Sequence, residues 1–133
     1  MIYGIGHDVL EIERIAALMD GRLKDKFIAR ILTTREIELS RGRERKLQEY
    51  IAGRFSAKEA IVKAFGCGVG KILGFTDMEI VPDALGKPEV VLSEQAWSRL
   101  QLPAGQSYKI HLTITHERRL VSAFAVVEQQ SKG

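Results

Sequence analysis

Cysteine, aromatic residues and long apolar runs are all scarce in this chain of 133 residues. The single cysteine, Cys67, has no second cysteine to pair with, which excludes an internal disulfide. The longest uncharged stretch near the C-terminus, residues 120–127, has 8 residues, whereas a membrane-spanning helix needs roughly 18 to 20. No signal-peptide pattern opens the sequence. These absences predict a protein of the reducing cytoplasm without a transmembrane segment.

The remaining composition is that of a globular protein. Hydrophobic residues make up 45% of the chain and charged residues 28%, which excludes intrinsic disorder. The length predicts one domain over residues 1–133. Lysine and arginine number 20 against 17 aspartate and glutamate, a net charge of +3. An acidic partner is therefore expected, whether nucleic acid, a phosphorylated cofactor or an acidic protein.

Hydrophobic periodicity predicts a mixture of helices and strands. Residues 2–10 form a strand in which Gly4 and Gly6 permit close backbone approach. Three short helices follow, the third opened by a capping box at Thr33, and a long helix then covers residues 46–65. The rest is predicted as a hairpin of strands 75–81 and 88–92, a short helix after Ser93, and two strands, of which the last, 120–127, is buried on both faces.

The long helix carries different side chains on separate arcs. Glu59 and Lys63 lie on an arc open to solvent or a ligand, whereas Arg54 and Lys58 point along the apolar arc. The glycine-rich segment 66–71 ends the helix. A phosphate-binding loop would precede its helix and carry Ser or Thr after the lysine, so a glycine C-cap is the favoured interpretation of this segment.

The spacing of the reactive residues along the sequence does not by itself identify a catalytic site. The serines and the three histidines fit neither a catalytic triad nor a zinc site, and nothing supports a thiol mechanism at Cys67. Two carboxylates remain: Asp8, at the far end of the first strand, and Glu59, in the middle of the long helix. Both elements are apolar enough to pack together. Taken singly, each carboxylate is more typical of an exposed acid or a helix cap.

Two motifs in register change this interpretation. Residues 4–8, GIGHD, followed by Arg14, and residues 54–68, RFSAKEAIVKAFGCG, closely resemble holo-acyl-carrier-protein synthases, the short class of phosphopantetheinyl transferases. The resemblance extends over essentially the whole chain, including Gly86-Lys87-Pro88 and the last strand. It implies an α+β fold in a single domain, with an antiparallel sheet packed on a long central helix.

The resemblance also implies a reaction. These enzymes transfer the phosphopantetheine arm of coenzyme A to a serine of an acyl-carrier protein in fatty acid biosynthesis and release adenosine 3′,5′-bisphosphate. Asp8 and Glu59 match the family's Mg²⁺ ligands, and Lys63 matches a phosphate-contact position, so these three residues are the expected catalytic set. Two carboxylates and a diphosphate suit the preference of Mg²⁺ for hard oxygen ligands. A water molecule organised by Glu59 is the expected acceptor of the serine proton.

The family's contact positions give several of the other basic residues a possible role. His116 is left with two interpretations, a ligand contact or a hydrogen-bonded histidine at a strand end, and Arg45 and Lys46 equally suit a solvated loop. Short members of the family act as homotrimers with active sites at subunit interfaces. The resemblance places carrier-protein contacts at Arg14, Met19 and Arg22, and coenzyme A contacts at Arg45, Lys46, Arg54, Lys58, Lys63, Gly66 and His116.

Two alternatives come from other classes of protein. A small basic nucleic-acid-binding domain would use the basic segment 41–46, but the sequence has no aromatic residues interleaved with basic ones and no helix-turn-helix spacing. A non-catalytic assembly subunit would keep the fold without the chemistry, which the intact Asp8, Glu59 and Lys63 argue against. Neither nucleic acid nor a membrane is therefore expected as a partner.

Overall fold

The computed structural model describes residues 1–131. Within this range, no helix is both long enough and apolar enough to cross a membrane. The elements, in chain order, are β1 (Ile2–Glu11), α1 (Ile12–Leu18), α2 (Lys24–Ile31), α3 (Thr34–Ser40), α4 (Leu47–Phe65), β2 (Met78–Pro82), β3 (Pro88–Leu92), α5 (Glu94–Leu100), β4 (Gln106–His116) and β5 (Leu120–Ser131).

Strand pairing is antiparallel throughout the two sheets. One sheet has the order β1-β5-β4, and β2 and β3 form a separate hairpin. In the larger sheet Gly6 lies opposite Ala125, and Asp8 lies opposite Ala123. The sheet packs its inner face on α4, as the apolar residues of β5 alternate towards the helix. The predicted α+β fold, an antiparallel sheet on a long central helix, is confirmed.

Helix α4 is central because non-polar residues occur on nearly all of its faces. Its N-terminal half joins one apolar cluster with α1 and α2, and its C-terminal half joins a second cluster with the sheet and α5. Gly66 ends the helix in the left-handed conformation, with φ 83°, and its N–H donates to the carbonyl of Lys63. The predicted glycine C-cap is therefore confirmed.

Two glycines in β1 allow the strand to lie directly on α4. A Cβ atom on Gly4 would lie 1.8 Å from the carbonyl oxygen of Ala64, and one on Gly6 would lie 1.8 Å from that of Ala60. No side chain fits at either position, so backbone meets backbone. The close approach predicted for these glycines is confirmed, and it brings the end of β1 alongside the middle of α4.

Two details of the predicted pattern are wrong. Strand β5 is buried on its inner face only, since Leu120 and Phe124 on the outer face are 37% and 41% exposed. The first strand of the hairpin begins at Met78, because residues 75–77 form a 3-10 turn, and Oδ2 of Asp77 accepts a hydrogen bond from the N–H of Gly74 just before it. The basic segment 41–46 connects α3 to α4 and ends in a 3-10 turn over Glu44–Lys46.

Candidate active site

Asp8 lies where β1 passes the middle of α4. One of its carboxylate oxygens, Oδ2, accepts a hydrogen bond from the buried hydroxyl of Ser56 at 2.8 Å. The other, Oδ1, is 3.4 Å from the ammonium of Lys63, which also donates to the backbone carbonyl of His7 at 3.0 Å. The Asp8 side chain is held from two sides and remains 16% exposed, so it is fixed but reachable.

Glu59 lies beside this group on the same helix. It follows Ser56 by three residues and precedes Lys63 by four, and residues at these spacings are neighbours on a helix surface. Partial burial raises the pKa of the Glu59 carboxyl above its usual value, the negative charge of Asp8 raises it further, and the Lys63 ammonium opposes the shift. The structure therefore brings the three predicted catalytic residues together.

The donor set at this position fits a hard divalent cation. Two carboxylates that repel each other are stabilised by a cation between them, and Mg²⁺ characteristically takes one or two carboxylates, keeping water or substrate phosphate oxygens as its other ligands. Among residues 1–131, no group of three or more His, Cys, Asp or Glu side chains is placed to hold a metal ion. Asp8 and Glu59 would thus provide part of a coordination shell that a diphosphate completes.

A second group of predicted residues lies towards the N-terminal end of α4. His116, the last residue of β4, has Nδ1 3.8 Å from Oε1 of Glu49. Its Nε2 reaches the place that a Cβ of Gly53 would occupy, at 2.9 Å. Gly53 therefore admits the imidazole to the helix surface, one residue before Arg54.

Arg54 is fixed by an aromatic ring that the sequence analysis did not identify. Its guanidinium lies 4.5 Å from the ring centroid of Tyr50, and the guanidinium of Arg43 lies 5.3 Å from the same centroid. Nε of Arg54 is buried without a hydrogen-bond partner in the described part of the chain. The spacing of four residues between Tyr50 and Arg54 was the available signal for this stacking.

The predicted coenzyme A residues do not all meet within one chain. Arg45 and Lys46 are exposed in the 3-10 turn before α4, whereas the exposed Gly66 follows its last residue. The helix has 19 residues, so these two groups are separated by about 28 Å. One set accompanies Arg54 and His116, and the other accompanies Lys63.

Lys58 is placed differently from its prediction as a coenzyme A contact. Its side chain is fully buried and its ammonium donates to Oε1 of Glu36 at 2.6 Å and to the carbonyl of Ile31 at 2.7 Å. Burial lowers the pKa of Lys58, and the charge of Glu36 opposes that shift. The prediction is corrected: the apolar arc to which Lys58 points is the protein interior, and its donors face protein acceptors.

The predicted carrier-protein contacts divide in a similar way. Arg14 and Arg22 are exposed, whereas Met19 is 7% exposed and packs in the apolar cluster with Ile15 and Leu10. The prediction for Met19 is corrected, because the residue ends α1 on its inward face. Beside it, α1 and α2 enclose a groove of about 780 Å³ whose lining includes Leu18, Leu23, Phe27, Arg22, Lys26 and Arg30.

Known proteins that are similar to this chain include holo-acyl-carrier-protein synthases. A holo-[acyl-carrier-protein] synthase of Bacillus mycoides is 39% identical over 133 residues, which are 99% of this chain and 100% of that protein. The crystal structure of the holo-acyl-carrier-protein synthase of Neisseria meningitidis superposes with a TM-score of 0.83 at 39% identity, covering 96% of this chain and 99% of that one.

A further solved structure includes a ligand. The Bacillus anthracis holo-acyl-carrier-protein synthase, in complex with CoA (3′,5′-ADP), superposes with a TM-score of 0.79 at 38% identity and covers 96% of this chain and 97% of that one. The family model that matches residues 4–124 spans both the GIGHD segment and the long helix. The chain therefore belongs to the 4′-phosphopantetheinyl transferase superfamily.

Proposed function

We propose that this protein is a holo-acyl-carrier-protein synthase, which transfers phosphopantetheine from coenzyme A to a serine of an apo-acyl-carrier protein in fatty acid biosynthesis. The observation that carries this proposal is the convergence of Asp8, Glu59 and Lys63 beside Ser56. Relatives that match the chain over nearly its full length have this activity by name. We treat residues 1–133 as one transferase domain, and the sharing of α4 by both apolar clusters supports this.

The reaction breaks a phosphoanhydride bond of coenzyme A and forms a phosphate ester bond to the carrier serine. The carrier serine oxygen forms a bond to the β-phosphorus of coenzyme A, the bond from that phosphorus to the oxygen bridging to the α-phosphate breaks, and adenosine 3′,5′-bisphosphate leaves with the electron pair. A water molecule hydrogen-bonded to Glu59 takes the serine proton, and the raised pKa of the Glu59 carboxyl suits it to this task. Lys63, whose side chain is 52% exposed, donates to the phosphate oxygens as charge develops on them.

Asp8 and Glu59 are the proposed ligands of Mg²⁺. When bound there, the ion neutralises charge on the diphosphate. The hydrogen bond from Ser56 keeps Oδ2 of Asp8 in a fixed orientation, which is how a supporting side chain orients a metal ligand. The mutual repulsion of these two neighbouring carboxylates supports the choice of a cation at this position.

The groove between α1 and α2 is the proposed docking surface for the acyl-carrier protein. Leu18 and Leu23, at its lining, are 52% and 60% exposed, and Arg22, Lys26 and Arg30 supply positive charge around them. Exposed apolar side chains bordered by charge are typical of a protein-binding surface. An acidic helix would match both the apolar floor and the basic border.

A homotrimer with interfacial active sites is the proposed assembly. The outer face of the larger sheet exposes Ile5 and Val9 at 55% each and Phe124 at 41%, an apolar surface that a second copy would cover. The separation of about 28 Å along α4 supports the same arrangement. In it, Arg45, Lys46, Arg54 and His116 of one subunit and Lys63 and Gly66 of its neighbour complete one coenzyme A site.

We place the enzyme in the cytoplasm, where coenzyme A and acyl-carrier proteins are used. The lone Cys67 is consistent with that compartment.

Measurement of the molecular mass by light scattering tests the proposed homotrimer. The wild-type protein should have three times the chain mass, and Ile5→Asp should reduce it, whereas Leu85→Asp, at an exposed hairpin turn, should leave it unchanged.

The transferase activity is tested by weighing the carrier. Apo-acyl-carrier protein is incubated with the enzyme, coenzyme A and Mg²⁺, and its intact mass is measured by mass spectrometry. We expect an increase by one phosphopantetheine group, which disappears when the acceptor serine is replaced by alanine. An unchanged carrier mass at stoichiometric enzyme concentration would contradict the proposal and leave the two non-enzymatic interpretations of the sequence.

A further inference from the structure

The fold contains a buried ion pair that the proposed reaction does not use. The side chains of Lys58 and Glu36 are both 0% exposed, and Nζ of Lys58 lies 2.6 Å from Oε1 of Glu36. Lys58 immediately precedes Glu59 on α4. An interior lysine and an interior glutamate are unusual enough to require an explanation from their partners.

Each member of the pair bonds to other elements as well. Nζ of Lys58 also donates to the carbonyl of Ile31 at the end of α2, at 2.7 Å. Glu36 accepts from the N–H of Thr33 at 2.9 Å through Oε1 and from the N–H of Ile80 at 3.0 Å through Oε2. The pair therefore joins α4 to the end of α2, the start of α3 and strand β2 at one point.

Stability alone does not account for this arrangement. Removing two charges from water costs free energy that their attraction repays only in part, and well-packed apolar residues in the place of a buried ion pair often give an equally stable protein. The hydrogen bonds of a satisfied buried network depend on distance and direction, so such a network defines one arrangement of its elements. The two bonds from Lys58 define how α4 is turned about its own axis, and the two bonds to Glu36 from Thr33 and Ile80 hold its partner in place.

The turn of α4 determines where Glu59 points. Successive side chains diverge by 100° on a helix, so Lys58 points inward while Glu59 points towards Asp8. A helix with its side chains has a radius of about 5 to 6 Å, so a rotation of about 10° moves Glu59 by roughly 1 Å. A displacement of that size can lower a reaction rate about 100-fold.

We propose that Lys58 and Glu36 form a positioning pair, which fixes the rotation of α4 so that the Glu59 side chain points towards Asp8. This inference rests on the proposed function only for its kinetic consequence. On the other flank of α4, Gly4 and Gly6 set the distance between β1 and the helix backbone. The glycines fix how close the strand lies, and the ion pair fixes which side chain the helix turns towards it.

The test removes both charges together. Lys58→Met leaves Glu36 unpaired, and Glu36→Gln leaves Lys58 unpaired, so each single variant should lose stability. The double variant Lys58→Met/Glu36→Gln leaves no unpaired charge and should regain most of the lost stability in urea unfolding. Its kcat should nevertheless remain at least about 10-fold below wild type, with the KM for coenzyme A within about 2-fold. Stability and kcat that recover together to wild-type values would overturn the proposal.

A second measurement does not depend on activity. Crystal structures of the wild type and the double variant should differ by about 1 Å in the position of the Glu59 carboxylate relative to Asp8, and an unmoved carboxylate would overturn the proposal even if the wild type proved inactive. If the double variant does not fold, Glu36→Gln alone is measured, with the same expected split between kcat and KM and the same opposing result. Arg99→Met, which breaks the pair with Asp77, is the control that should lose stability without loss of kcat.

Discussion

Gly6 lies directly on the backbone of Ala60: a Cβ atom on this glycine would be 1.8 Å from the carbonyl oxygen. The contact places β1 against α4 with no side chain between them. Asp8, two residues further along the strand and on the same face, is thereby carried to Ser56 and Lys63. The position of Asp8 in the site therefore depends on the absence of a side chain at Gly6.

Replacing Gly6 by alanine should separate the strand from the helix. Because the obstructing atom is a backbone oxygen, the helix or the strand must shift, and we expect a loss of about 3 kcal/mol or more in the free energy of unfolding. Urea denaturation measures it. Gly68→Ala is the matched control, since a Cβ there meets nothing within 4 Å. Equal stability of the two variants would show that the close approach is dispensable.

Much of this relationship could be predicted from the sequence, and part of it could not. The glycines in β1 indicated close backbone approach, and the 3.6-residue period placed Glu59 and Lys63 on one arc. Lys58 was assigned to the correct, apolar arc but to the wrong role, because its partner Glu36 is 22 residues away. Long-range pairing of this kind has no signature in local periodicity.

The prediction that β5 is buried on its outer face was wrong for a related reason. An all-apolar strand is typical of burial on both faces, yet Phe124 and Leu120 are exposed in the single chain. Sequence patterns record the surfaces that a protein buries in its final assembly as well as in its fold. The proposed trimer would reconcile the apolar sequence with the exposed strand.

Gly53→Ala should move His116 with little effect on stability. The new methyl group would lie 2.9 Å from Nε2 of the imidazole, and a side chain can rotate away where a backbone cannot. Alanine also gains about 1 kcal/mol of helix propensity over glycine. If the imidazole contacts coenzyme A, the KM for coenzyme A should rise several-fold, as it should in His116→Ala. An unchanged KM in both variants would favour the other interpretation, a histidine that only ends a strand.

Asp77 should contribute stability that depends on pH. Its burial acts to raise its pKa, but hydrogen bonds from the Gly74 N–H, Arg99 and Ser93 outweigh burial and hold the pKa below its usual value. The contribution is therefore present above the unfolded-state pKa of about 3.9 and is lost as the pH falls through the lower folded-state value.

Asp77→Asn measures that contribution. The variant should be less stable than wild type by about 1.5 to 3 kcal/mol at pH 7, because charge-assisted hydrogen bonds are lost. The difference should shrink as the pH falls below the unfolded-state pKa of about 3.9 and the wild-type carboxyl becomes protonated. Urea denaturation from pH 7 downward checks the trend, and a difference that grows on acidification would contradict the assignment.

Lys63→Met should affect the reaction far more than the fold. The ammonium is 52% exposed and its carboxylate contact is 3.4 Å long, so the ion pair with Asp8 adds little stability. If it donates to the transferring phosphate, kcat should fall about 100-fold. Lys87→Met, in the turn of the β2–β3 hairpin, removes the same charge elsewhere. Similar steady-state rates for the two variants would exclude the proposed role of Lys63.

One comparison tests most directly whether Glu59 acts together with Asp8 in the reaction. It measures the rates at which wild type and Glu59→Gln add phosphopantetheine to a carrier protein, followed by the intact mass of the carrier. Because burial and Asp8 raise the pKa of Glu59, its ionised form opposes folding at neutral pH, so the variant should keep or exceed the wild-type melting temperature. We predict a rate at least about 100-fold lower in this folded variant. A folded Glu59→Gln protein that transfers at nearly the wild-type rate would contradict the account.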